Sequence, residues 1–148
     1  MISQKAKYAL RALMELARAE DGEAVLISEI AERQSIPKKF LEQILLDLKH
    51  HGLVHSRRGK HGGYGLLKRK EHITFGQVMR IVDGPLAPLP CLSRMAYRRC
   101  EDCRDEDSCA IRGVFASAYE ATARVLDRTS LADALAEEDP VEERSAAG

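Results

Sequence analysis

The sequence predicts a mainly α-helical chain with one small β-hairpin: a winged helix-turn-helix unit followed by a long helix suited to dimerisation. Three observations predict it. Apolar residues recur at helical spacing over most of the chain, a glycine-rich basic stretch near residues 53–67 breaks that pattern, and a proline-rich segment precedes a second apolar helical stripe. Composition agrees, since the 148 residues are 45% hydrophobic but only 5% aromatic, with no Trp. The core therefore rests on Leu, Ile, Val and Ala, the balance of packed helices rather than of a sandwich. A chain of this length supports one ordinary core and an appended arm.

The first helix is expected from Ser3, its N-cap, to about Arg18, with Ala6, Ala9, Leu10, Leu13, Met14, Leu16 and Ala17 as its apolar positions. Asp21-Gly22 breaks it. A short extended piece at residues 24–26 leads to Ser28, the expected cap of a second helix from Glu29 to about Gln34. After a turn at Ser35-Ile36, Pro37 suits the first position of a third helix with Phe40, Leu41, Ile44, Leu45 and Leu48 as its stripe, ended by Gly52. A short helix, a tight turn and a longer helix make a helix-turn-helix. Its second helix would present Lys38, Lys39, Glu42 and Gln43 to a major groove.

Strands are expected at residues 53–58 and 64–67 around Gly59-Lys60-His61-Gly62-Gly63, which makes a wing. A tip carrying Arg57, Arg58, Lys60 and His61 lets the backbone approach phosphates while an arginine enters a minor groove. Thr74 is expected to cap a fourth helix through Val82, stopped by Asp83-Gly84-Pro85. The chain then divides into a winged helix-turn-helix domain (1–85), a proline-rich linker with a cysteine loop (86–109), a dimerisation helix with a short C-terminal helix (108–136), and a disordered tail (137–148) with too few hydrophobes to fold. Ile111, Val114, Phe115, Ala118 and Val125 form an apolar stripe on the long helix, which needs a partner. The same helix of a second copy is the simplest, because DNA-binding modules read paired half-sites, and packing on the first helix is the alternative.

Net charge is zero, yet residues 1–80 carry 15 Lys/Arg against 9 Asp/Glu, a net +6, and residues 81–148 a net −6. A basic half points to a polyanion, here double-stranded DNA. No apolar run reaches bilayer length and the N-terminus alternates charge with hydrophobe, so a cytoplasmic protein without membrane association is expected.

All four cysteines, Cys91, Cys100, Cys103 and Cys109, fall within nineteen residues in a polar loop. In a reducing cytosol such clustering points to ligands of a thiophilic centre, an iron-sulfur cluster or another metal, rather than to structural disulfides. A metal-free thiol switch is the alternative, with Arg98, Arg99 and Arg104 lowering thiol pKa values and Glu101, Asp102 and Asp105 raising them. A thiol-disulfide oxidoreductase built on Cys100 and Cys103 is a remote alternative that needs a strand before the pair and a helix starting at it. The histidines His50, His51, His55, His61 and His72 lie in or beside the basic half, where solvation or phosphate contact outweighs metal ligation.

The segment Phe40-Leu41-Glu42-Gln43-Ile44, followed by Leu48, Gly52-Leu53-Val54-His55-Ser56-Arg57-Arg58-Gly59 and Gly62-Gly63-Tyr64, resembles the signature of the bacterial winged-helix regulators that include IscR, NsrR, RirA and CymR, the Rrf-two family. The resemblance extends to about Leu135. It implies a homodimeric transcription factor in which Glu42 and Gln43 face bases and Arg58 enters the minor groove. Cluster-binding members add a fourth, variable ligand to three cysteines, such as a His three residues after the last cysteine or an acid near the N-terminus. Here those places hold Arg112 and Tyr8, neither of which suits low-valent iron. Cys91, Cys103 and Cys109 match the family's cysteines and Cys100 is added, so the resemblance implies all-cysteine coordination of a [2Fe-2S] or [4Fe-4S] cluster. Zinc is the lesser alternative, because only Cys100 and Cys103 have the spacing of a zinc knuckle. The expected function is a DNA-binding regulator, a repressor, whose operator affinity the cluster sets in response to iron, redox state or nitric oxide.

Overall fold

The structure, a computed structural model, describes residues 2–146 and the side chains of residues 2–138. In chain order it contains α1 (Gln4–Arg18), α2 (Ile27–Gln34), α3 (Lys38–His50), β1 (Val54–Arg57), β2 (Gly63–Leu66), α4 (Phe75–Asp83), α5 (Ala110–Arg128) and α6 (Leu131–Ala146). The expected class, mainly α with a β-hairpin wing, is what the chain adopts.

α1 is the hub, packed against α2, α3, α4 and α6. Ser3 caps it as expected, its Oγ accepting from the Ala6 N–H at 3.0 Å. Leu13 of α1, Ile30 of α2, Leu41, Ile44, Leu45 and Leu48 of α3, and Val78 of α4 are all 0% exposed in one core. Each such side chain contributes about 1.5–3 kcal/mol relative to exposure, so the core fixes how the three N-terminal helices cross.

The helix-turn-helix turn passes through Ser35 in the left-handed region (φ 53°), and the Ile36 N–H closes back on Ala31 O at 2.9 Å. Two boundaries differ from expectation. Ser28 caps nothing: α2 begins at Ile27 with Leu26 at the N-cap, its carbonyl accepting from Glu29 and Ile30. The cause lies upstream, where Val25 is locked to Tyr64 by two backbone hydrogen bonds of 2.8 and 2.9 Å, so the chain must turn immediately afterwards. Pro37 likewise lies one residue outside α3, as its N-cap with extended ψ of 125°.

The wing pairs Val54 with Leu66 and Arg57 with Gly63 in antiparallel register. Gly63 is required where it stands: at φ 135°, a Cβ would fall 2.2 Å from the Val25 carbonyl oxygen. Thr74 caps α4 as expected, accepting from the Gln77 N–H at 3.2 Å.

α5 packs chiefly on α4, and none of its residues is buried. α6 then returns to the winged domain. Its start is a reciprocal capping box, the Ser130 N–H donating to Asp133 at 2.9 Å and the Asp133 N–H to Ser130 Oγ at 3.1 Å. Leu131 is fully buried in the winged-domain core, and the Leu131 N–H donates to Ile73 O. The segment expected to be a disordered tail from residue 137 is helical as far as Ala146, because α6 is nucleated by that cap and anchored by Leu131 and Leu135. Ala147 and Gly148 lie outside the described residues.

Candidate nucleic-acid interface and cysteine loop

α3 is divided lengthwise. Leu41, Ile44, Leu45 and Leu48 are fully buried, which leaves Lys38, Lys39, Glu42 and Gln43 on the exposed face. Phe40 steadies the first turn through an edge-on contact with Tyr8 of α1, with ring centroids 5.6 Å apart. Gln43 is itself positioned, since its Nε2 donates to Asp47 Oδ1 at 3.2 Å while Lys5 Nζ holds Asp47 Oδ2 at 2.9 Å. The Lys5 hydrogen bond, with Gln43 and His50 adding to it, keeps the Asp47 carboxyl below the usual carboxylate range. One Gln43 N–H is thereby committed, and its Oε1 and second N–H are left for another partner.

The wing follows directly. Arg57, Arg58, Lys60 and His61 are all exposed and cluster at the hairpin tip, and none forms an ion pair among the described residues. Lys49 Nζ donates to Ser56 Oγ at 2.8 Å, which ties the end of α3 to β1 and fixes helix and wing as one surface. Asp47 and Lys49 were not among the sequence candidates. The four-residue spacing of Gln43 and Asp47 on one helix face was the available signal.

Behind this surface α1 and α2 are joined by an almost buried carboxylate. Glu15 accepts from Arg33 at 2.9 Å and from Gln34 at 2.8 Å, with Arg18 at 3.4 Å. Burial pushes its pKa upward, but the Arg33 and Gln34 hydrogen bonds and the Arg18 charge outweigh it, so the carboxyl sits below its ordinary value.

The cysteine loop runs from Cys91, 6% exposed beneath α5, to Cys109, the N-cap of α5. Cys100 is exposed and Cys103 half-buried. Partial desolvation and the nearby Cys91, Asp102 and Cys103 push the Cys100 thiol upward. Arg112 reaches into the same region: its backbone N–H donates to Cys109 Sγ at 3.5 Å and its Nη2 to Cys91 O at 3.4 Å. Its Nε is buried with no acceptor. An anionic centre built from thiolates would supply that acceptor, and four soft sulfurs are the donor set such a centre takes. The loop does not preform it, because among the described residues no three His, Cys, Asp or Glu side chains converge to hold a metal ion. Cys100 and Cys103 have neither a strand before them nor a helix beginning between them, so the thioredoxin-like context of an oxidoreductase is missing.

On α5, Ile111, Val114 and Val125 are 63%, 69% and 63% exposed, and Phe115 and Ala118 are also exposed on the same side. The predicted stripe is therefore one open apolar face. Among the described residues no helix is long and apolar enough to cross a membrane.

The profile of the Rrf2 family, described as an iron-dependent transcriptional regulator, matches residues 2–137. An Rrf2-like HTH-type transcriptional regulator from Rhodobacter capsulatus is 50% identical over 143 residues, 95% of each chain. The HTH-type transcriptional regulator CymR of Bacillus subtilis is 31% identical, over 89% of this chain and 87% of its own. Among solved structures, that of CymR, described as the global cysteine regulator of B. subtilis, superposes with a TM-score of 0.76 at 32% identity, covering 93% of this chain and 97% of its own. IscR of T. potens superposes at 0.73 and 28% identity, covering 93% and 88%.

Proposed function

Because the chain belongs to the Rrf2 family of transcriptional regulators, we propose that it binds double-stranded DNA as a cytoplasmic homodimer and that a cluster held by its cysteine loop sets its affinity for an operator. The observation that carries the DNA reading is a single surface, the outer face of α3 joined to the wing by Lys49 and Ser56, whose wing cations form no ion pair among the described residues. Gln43 reads a base in the major groove with the amide that Asp47 orients, Glu42 accepts from a neighbouring base amine, and Arg58 enters the flanking minor groove. Lys38, Lys39, Arg57, Lys60 and His61 meet phosphates. Pairing of two α5 stripes sets the separation of the two α3 helices, and hence the half-site spacing.

Cys91, Cys100, Cys103 and Cys109 are the ligands, and the unsatisfied Arg112 Nε donates to one of their sulfurs. An iron-sulfur cluster bound there supplies one-electron chemistry and sensitivity to iron supply, oxidants and nitric oxide. Gain or loss of such a cluster would change how the loop holds α5 against α4, and so the fit of the dimer to two half-sites; as a repressor, the DNA-bound dimer would occlude the duplex. The clustering of four free cysteines in one loop supports a second reading, a metal-free thiol switch.

Anaerobic purification followed by an absorbance spectrum and iron, sulfide and zinc analysis separates these. Iron and sulfide with a visible chromophore are expected. A colourless protein with stoichiometric zinc means a structural metal, and a metal-free protein that still responds to oxidant means the thiol switch.

A further inference from the structure

Between the winged domain and α5 lies a cavity of ≈ 580 Å³ whose wall carries four arginines, Arg80, Arg94, Arg124 and Arg128, against two acids, Glu120 and Asp127. The acids leave two net positive charges. Arg80 and Asp127 neutralise each other in a two-pronged ion pair, Nη1 to Oδ1 at 2.5 Å and Nη2 to Oδ2 at 3.0 Å, which is the polar link from α4 to α5. Room for that pair is built in. A Cβ on Gly76, in the first turn of α4, would lie 2.0 Å from Asp127 Oδ1, so any other residue there would make the Asp127 carboxylate shift. Arg94, Arg124 and Arg128 form no ion pair among the described residues. Each offers a planar fork of donors matched to a carboxylate or a phosphate.

The cavity does not compete with dimerisation. At 3.6 residues per turn, Glu120, Ala123, Arg124 and Asp127 lie on the side of α5 opposite Ile111, Val114, Phe115, Ala118 and Val125. A second copy seated on the apolar stripe leaves Arg124 open, while Arg128, the last residue of α5, lies between the two faces. The volume is that of a small-metabolite site rather than of a macromolecular groove.

We propose that this seam binds a small dianion, a dicarboxylate or a phosphate ester, through Arg94, Arg124 and Arg128, with the Arg80–Asp127 pair forming its floor. The site joins the helix that leaves the winged domain to the helix that carries the dimer face, so an occupant biases the angle between them. That consequence for operator affinity rests on the DNA-binding reading above, whereas the binding itself does not.

Calorimetric titration of the full chain with succinate and, separately, with inorganic phosphate, at constant pH and ionic strength against sodium chloride, tests the site. The expected result is saturable binding at one site per protomer with a Kd at or below about 1 mM for one of the two probes, which identifies the anion class. The double change Arg124→Gln and Arg128→Gln should weaken that binding at least about tenfold while leaving the thermal melt in place; Arg124→Lys, which keeps charge but loses the fork, should weaken it less. Absence of saturable binding by either probe, or equal affinity in the double variant, overturns the proposal. In a parallel arm, anion binding without any change in operator affinity removes the coupling and leaves the site. Failure of the protein to bind duplex DNA at all sinks the DNA-binding reading and leaves the titration result standing.

Discussion

Gln43 and Glu15 show how differently single side chains serve this surface. Gln43 acts outward, and its directionality comes from Asp47 behind it and Lys5 behind that. Gln43→Ala should therefore cost about 1–3 kcal/mol of discrimination at one base pair, read by competition between duplexes that differ at single positions. Asp47→Ala should relax the same position by a smaller amount, because the amide survives but turns freely; equal losses on specific and random duplexes would remove Gln43 from base reading. Glu15 acts inward, as the polar joint of α1 and α2. Glu15→Ala should destabilise the fold by about 1–3 kcal/mol in chemical denaturation, since Arg33 and Gln34 lose their shared acceptor. The sign of the pH effect follows from a depressed folded pKa. The contribution is complete above the unfolded value of about 4.3 and is lost as pH falls through the lower folded value. Glu15→Gln should flatten the acid limb of stability in that window, and an unchanged limb would remove Glu15 from the account.

At the level of elements, α5 leaves its apolar stripe open in the single chain. Its exposed Ile111, Val114, Phe115, Ala118 and Val125 predict that Val114→Asp shifts the protein toward monomer in sedimentation, because a charge buried in an apolar interface is costly. A stable dimer carrying that change would move the interface elsewhere. The wing predicts that Arg58→Ala weakens binding most on duplexes with a narrow, A·T-rich minor groove. Helix-turn-helix, hairpin and long helix were legible because each rests on local signals: period, cap and glycine. Ser3 and Thr74 were readable as caps because each side chain accepts from an N–H only three residues along the helix it opens. Ser28 was misread because the pairing of Val25 with Tyr64, far away in sequence, decides where α2 begins. The short C-terminal helix was expected, but its continuation past residue 136 was missed for a similar reason: Ser130 and Asp133 spell a capping box, but its value depends on Leu131 finding the winged-domain core. The cysteines were visible by clustering alone, whereas the inward reach of Arg112 and the arginine seam arise only when α5 lies against α4 and the loop.

For the whole molecule, zero net charge conceals a division of labour, with +6 on the first 80 residues and −6 on the rest. If a dimer neutralises about six to ten phosphates, affinity for duplex DNA should fall by about 10³–10⁵ between 50 and 200 mM salt. A flat salt response would contradict an interface built on the wing and α3. The α4–α5 seam and the cysteine loop connect the two halves, and the proposed coupling between loop and DNA surface, if of ordinary size, would be about 1–3 kcal/mol. All-cysteine coordination further requires that each single Cys→Ala change, Cys100→Ala included, lose or destabilise the visible chromophore on anaerobic reconstitution. A wild-type spectrum and stability in Cys100→Ala would place the fourth ligand elsewhere. The most direct test of the central claim is anaerobic fluorescence anisotropy on a duplex selected by the protein from a random library, comparing anaerobically reconstituted with chelator-stripped protein. The account predicts operator affinities that differ by about 5- to 150-fold between the two forms; identical affinities would contradict it.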